Sequence, residues 1–318
     1  MNLKLGLSLR QSSLTRWRGA WPWLALLGAC AVMSLAQAQT PTPGEDKVIT
    51  WAVTRWPPIM TFKNASPQSL DDMGDGITDQ VILKLAANLP GYQHRFMTSN
   101  IPRIWKEIAD GHALCSAATL WTPERARLTY MTPMLIIPPL HLVVRRDRLK
   151  AVTRGAAAVS IRALAQRKDI VGYLEVERSY GPAINAMPDD PGLSLHRMVV
   201  PTGTQLITML DIGRMDYTVE FPMVIEYMRR QGQLRNDMVV VPLQEAPNDN
   251  PNYVACTRNA WGESVTRDIE RAVQLAEKDH DFRHVMTRWL PAEIRPAYAA
   301  RVDAWFKHRP PGGRAPGR

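Results

Sequence analysis

The sequence predicts an α/β protein arranged in two lobes. Short apolar runs alternate with stretches whose apolar residues recur at helical spacing, the order that builds a parallel sheet flanked by helices. The alternation comes in two series, the second beginning after the charged stretch Arg146-Asp147-Arg148. Residues 39–306, between a leader and a basic tail, are enough for one large domain or for two lobes, and the two series favour lobes.

The first twenty residues carry Lys4, Arg10, Arg16 and Arg18 and no acid, and an apolar run from Trp21 to Leu35 closes on Ala36-Gln37-Ala38. That is the pattern of a secretory signal peptide at 1–38 with cleavage after Ala38, and it places the mature chain in the periplasm. Leu27-Gly28-Ala29-Cys30 also resembles a lipid-attachment box, although Ala31-Val32-Met33 keeps the sequence apolar beyond the cysteine. The formal charge of +9 is concentrated at the ends. Setting aside the four basic residues of the leader and the four of the tail (Lys307, Arg309, Arg314, Arg318) leaves 31 basic against 30 acidic residues in 39–306. Such a balance excludes a nucleic-acid footprint. The tail, 307–318, has too little apolar surface to fold and is expected to be disordered.

In the first series, Val48–Arg55 reads as a strand ending at Trp56-Pro57-Pro58. Gly74-Asp75-Gly76 leads into a helix from about Thr78 to Leu89, with Ile77, Val81, Ile82, Leu85 and Ala86 on one stripe. Strand 92–97, helix 101–110 with Gly111 as its stop, and strand 113–118 follow. Leu140–Arg145 is the next strand. In the second series, Ser160 caps a helix reaching about Gln166, and 169–174 is a strand. A helix over 179–187, a strand at 195–200, a helix to Ile212 and a strand at 215–221 come next. Pro222 opens a helix as a first-turn proline does. Strands at 238–241 and 253–257 and helices at 263–277 and 280–290 complete the chain.

The strand 113–118 runs into Thr119-Leu120-Trp121 and then Thr122-Pro123-Glu124-Arg125. A buried strand ending in a polar turn that presents one arginine aims a guanidinium into a cleft. The flat fork of arginine meets a carboxylate at two points, which lysine cannot do. Removal of the leader leaves two cysteines, Cys115 and Cys256, and an even count in an exported chain suggests a disulfide, with two buried thiols as the alternative. His280 and His284 stand four apart on a helix but have no third metal ligand nearby, so no metal or other cofactor is expected.

Several of these segments together resemble the amino-acid-binding type of periplasmic solute-binding protein, family 3, which has the type II periplasmic-binding fold. They are Trp56-Pro57-Pro58, Gly76-Ile77-Thr78-Asp79, Trp105 to Gly111, the Thr-x-x-Arg of Thr122–Arg125, Gly213-Arg214-Met215-Asp216-Tyr217, and Asp281-Phe282 through Leu290. The resemblance implies two interlobe crossovers, with lobe one at 47–145 plus 250–306 and lobe two at 146–249. It further implies that Arg125 binds a ligand carboxylate and that Trp56 packs on the ligand. Thr119 and Leu120 before the arginine motif, Arg178 and Ser179 at the start of a second-lobe helix, and Glu220 complete the expected binding set. Where the family places an aspartate for the ligand ammonium, a strict count falls on Phe221. Glu220, one residue earlier, serves only if a bulge intervenes. The implied function is a monomeric exported receptor for a small carboxylate-bearing, amino-acid-like solute, working with an inner-membrane ABC permease. Two alternatives stay open: a ligand-sensing protein without a transporter, and an enzyme resembling the cyclic amino-acid dehydratases of this fold, with Glu220 or Glu177 as its acid.

Overall fold

The computed structural model describes residues 48–312, except 177, 179, 201–203 and 247. The leader, its cleavage site and Cys30 lie outside the described residues, as does Ser179. Two five-stranded sheets form the body. In the first, β1 (Val48–Val53) pairs in parallel with β2 (Gln93–Thr98) and β3 (Cys115–Leu120). β10 (Asn250–Thr257) then runs antiparallel between β3 and the edge strand β4 (Thr129–Ile137). The second sheet repeats the plan. β6 (Gly172–Glu175) pairs in parallel with β7 (Leu195–Met198) and β8 (Tyr217–Glu220), and β5 (His141–Arg145) is inserted antiparallel between β8 and β9 (Met238–Pro242).

Two boundaries differ from expectation. The strand at 141–145, expected in lobe one, is hydrogen-bonded within the second sheet, so the chain leaves the first sheet after Ile137. Its run of apolar residues is that of a strand buried on both faces, and such a run does not say which sheet it joins. Leu142 and Val144 enter one core and Val143 the other. β4 completes the first sheet in its place. Pro133 reads as a strand breaker, but it sits on an edge strand beside a register shift opposite Tyr253, where proline is tolerated. The tail also departs from expectation, because it is held as far as Gly312. Arg309 is buried between Glu277 (2.6 Å) and Glu270 (2.7 Å), and Gly312 N donates to Glu270 at 3.0 Å.

Helices cover both sheets. α1 (Ile77–Ala87) buries the predicted stripe, and α2 (Ile101–Ala109) is capped by the Asn100 side chain, which accepts from Arg103 N at 2.9 Å. α9 (Ala260–Ala276) lays Val265, Ile269, Ala272, Val273 and Ala276 on the first core. Cys115 and Cys256 face each other across β3 and β10 and form a disulfide, their Cα atoms 4.1 Å apart. Among the described residues no helix is long and apolar enough to cross a membrane.

Candidate functional site

The ends of β1, β3, β6 and β8 converge on a cleft between the two sheets. At the end of β3 the Thr122 hydroxyl caps α3 (Pro123–Leu128), accepting from Arg125 N at 3.2 Å. The cap fixes Arg125 in the first turn. Its guanidinium donates to Leu120 O at 3.0 Å and lies over the Trp105 ring, 4.7 Å from the centroid. Among the described residues no carboxylate pairs with it. Burial lowers its pKa from the usual arginine value, and a guanidinium in a protein remains a cation.

Arg125 opens on an inner cavity of about 240 Å³ that Trp56, Thr119, Leu120 and Arg178 also line. Thr119 is 1% exposed and donates to Ser116 Oγ at 3.1 Å. Trp56, 44% exposed, is held by the turn in which it bonds Met60. That turn is fastened from below by the buried Asp79 of α1, which accepts from Thr61 N (2.8 Å) and Gly74 N (2.9 Å). A Cβ on Gly76 would stand 2.3 Å from the same carboxylate. A wider outer cavity of about 700 Å³ shares Thr54, Trp56, Ile101 and Arg178 with the inner one and adds Glu175, Glu220, Tyr227 and Gln233.

The second lobe departs from the expected roles. Glu220 is opposite His141 in an unshifted register, without the bulge that the ammonium role required. It reaches the outer cavity, while Phe221 lines the inner one. Arg178 grips Glu220 in a two-point fork with both contacts at 2.5 Å, and the Glu220 carboxylate also accepts from Phe221 N at 2.7 Å. The expected helix from Ser179 is only α6 (Pro182–Asn185), so Arg178 lies outside its first turn. Its guanidinium rests instead over Tyr180, 5.2 Å from the ring centroid. Arg125, Trp56, Thr119, Leu120 and Arg178 therefore share the inner cavity, and Glu220 stands behind Arg178. Trp105 escaped the sequence reading, although it follows Ile104 on the cleft side of α2. The fork escaped it too, since nothing in sequence couples positions 178 and 220.

Among the described residues no group of three or more His, Cys, Asp or Glu side chains is gathered as a metal site. His280 and His284 stack on each other, and His284 bonds Asp303 at 3.0 Å.

No protein-family model and no curated protein matches the chain. Solved structures do. The probable amino-acid ABC transporter extracellular-binding protein ytmK of Bacillus subtilis superposes with a TM-score of 0.59 at 16% identity, over 77% of this chain and 98% of that one. This chain has the type II periplasmic-binding fold. The same fold is shared at a TM-score of 0.53 with the ancestral amino acid-binding protein AncCDT-1, a precursor of cyclohexadienyl dehydratase, at 14% identity over 77% of this chain and 96% of that one. The VFT2 domain of Bordetella pertussis BvgS matches at 0.54, with 16% identity over 76% and 93%. At such identities the likeness establishes the fold, and the chemistry has to be read from the cleft.

Proposed function

We propose that this protein is an exported receptor that captures a small carboxylate-bearing solute between its two lobes and presents it, as a monomer, to an inner-membrane ABC permease. The observation that carries this reading is Arg125: a half-buried guanidinium, stacked on Trp105 and lining an interlobe cavity, with a two-point fork that no carboxylate among the described residues fills. A fixed cation in a partly desolvated cavity favours an anion of matching geometry. Trp56 and Trp105 give flat apolar walls for the rest of the ligand. The solved structures on this fold include a protein named as an ABC transporter binding protein, which supports a transport role. The dehydratase-like reading needs an acid free to move a proton. Glu220 is held by Arg178, and Glu177 lies outside the described residues.

A thermal-shift screen over amino acids, dicarboxylates and small monocarboxylates tests the proposal. A ligand at 100 times its dissociation constant adds about 2.7 kcal/mol of stability. With the ligand found, Arg125→Lys should weaken binding nearly as much as Arg125→Ala, by a factor of tens to thousands, because losing a desolvated charge partner costs about 2–5 kcal/mol. Normal binding by Arg125→Ala would end this reading. Product formed from any panel member would favour the enzyme instead.

A further inference from the structure

The proposed function leaves the class of carboxylate open, and the charges around the inner cavity narrow it. Arg125 enters from the first lobe and Arg178 from the second, and among the described residues no aspartate or glutamate lines this space. Glu220 lies behind Arg178, both carboxylate oxygens taken by the guanidinium fork. It cancels the Arg178 charge, and its Oε1 also accepts from Phe221 N at 2.7 Å. Among the described residues the local balance is therefore one net positive charge, which a single carboxylate neutralises. Glu175 lines only the outer cavity, of which Arg125 is not a part. An ammonium on the carbon beside the ligand carboxylate has to remain next to Arg125, in a space whose described lining holds no acid to pair with it. Phe221, apolar, lines the same cavity as Arg125.

The cavity also has an apolar extension. A side pocket of about 80 Å³ shares Trp56, Leu120 and Phe221 with it and is lined further by Leu135, Ile137 and Met286, with Thr78 and Asn252 as its polar members. Such walls favour a hydrocarbon body and penalise an unpaired charge.

We propose that the inner cavity takes a monocarboxylate with an apolar body and no ammonium group beside the carboxylate, and that Arg178 enforces this choice by occupying Glu220. The proposal rests on the carboxylate reading of Arg125 above. Arg178 thus sets specificity by subtraction: it holds the Glu220 carboxylate in an ion pair and leaves Arg125 as the uncompensated charge of the inner cavity.

Matched pairs test this on the intact mature protein by isothermal titration calorimetry: 3-phenylpropanoate against L-phenylalanine, and 4-methylpentanoate against L-leucine. In at least one pair the acid without the amine should bind at least about tenfold tighter. In the same pair, Arg178→Met, which uncovers Glu220, should shift the preference towards the amino acid by a similar factor. The double variant Arg178→Met with Glu220→Gln leaves no lone buried charge and should keep the preference for the des-amino acid. Equal or tighter binding of the amino acids by the unmodified protein overturns the proposal, as does a double variant that prefers them. Binding of neither pair also overturns it, and leaves the receptor reading standing if another carboxylate from the wider screen binds. If no carboxylate of any kind binds, both fall.

Discussion

Arg178 and Glu220 bring opposite charges into a cleft and then spend them on each other. Their side chains are 15% and 4% exposed, so each carries a large desolvation cost that the other chiefly offsets, with Phe221 N donating to Glu220 and the Tyr180 ring beneath Arg178. Burial by itself pulls the Arg178 pKa down. The charge and hydrogen bonds of Glu220 outweigh that, and the net displacement is upward. Glu220→Gln should therefore cost about 3–5 kcal/mol, read as a lower urea midpoint, because it strands a buried cation. Arg178→Met combined with Glu220→Gln should recover most of that loss. A midpoint unchanged in Glu220→Gln would mean that water already solvates the pair. Arg125 is the opposite case, with its charge left available and its plane supported by an aromatic ring.

At the level of elements, the C-terminal helix α11 (Arg295–Phe306) and the segment after it do more than their composition advertises. Only Tyr298 and Val302 of α11 are buried, a two-residue stripe too thin to stand out as a helical period. Tyr298 nevertheless donates to Ile136 O at 2.5 Å, and Arg301 grips Asp249 at 2.7 Å, so α11 touches the chain near both crossings between the sheets. Beyond it, Arg309 is 5% exposed and joins two carboxylates of the α9 region. Arg309→Ala should lower stability by about 2–3 kcal/mol in chemical denaturation, with Glu270 and Glu277 left facing each other; no loss would show that the tail is only laid on the surface. The tail looked structureless because its low apolar content is the signature of disorder, and one buried arginine joined to two carboxylates leaves no trace in composition. The same limit explains what else was legible. A periodic stripe marked α1, the Gly111 stop marked the end of α2, and the strand-turn-arginine pattern marked Arg125. Tertiary facts stayed hidden: the sheet that β5 joins, the proline-bearing edge strand β4, and the 178–220 fork. Each depends on partners far away in the chain.

For the molecule as a whole, two imidazoles, the half-buried His94 and the buried His141, set a direction for stability against pH. His94 accepts a hydrogen bond from Trp51 Nε1 at 3.0 Å, and burial lowers its pKa from 6.5. Burial also lowers that of His141, with the Pro139 carbonyl opposing part of the effect. Both imidazoles are held neutral in the fold and gain protons more readily once unfolded. Their contribution is therefore complete above about pH 6.5 and is lost as the pH falls through their folded values, by up to about 1.4 kcal/mol per unit for each group. Urea midpoints should decline between pH 7 and 5, and His141→Gln should flatten part of that slope. A profile unchanged by the substitution would show that His141 protonates as freely in the fold as outside it.

The strand order has a consequence for how the molecule can be taken apart. All five strands of the second sheet, β5 to β9, come from the unbroken stretch His141–Pro242, whereas the first sheet needs β10 from beyond it. His141 and Pro242 are also direct register partners, so the two ends of that stretch lie side by side. The second lobe is in effect a cassette spliced into a loop of the first. Excised at its paired ends, it should fold cooperatively on its own, at the expense of exposing Met223 and Tyr227, which pack on the first core. The remainder, rejoined by a short linker from Ile137 to Asn250, should keep a complete sheet and its disulfide. Cutting once, after Ile137, should instead give an N-terminal piece lacking the strand between β3 and β4, with no folded baseline by circular dichroism.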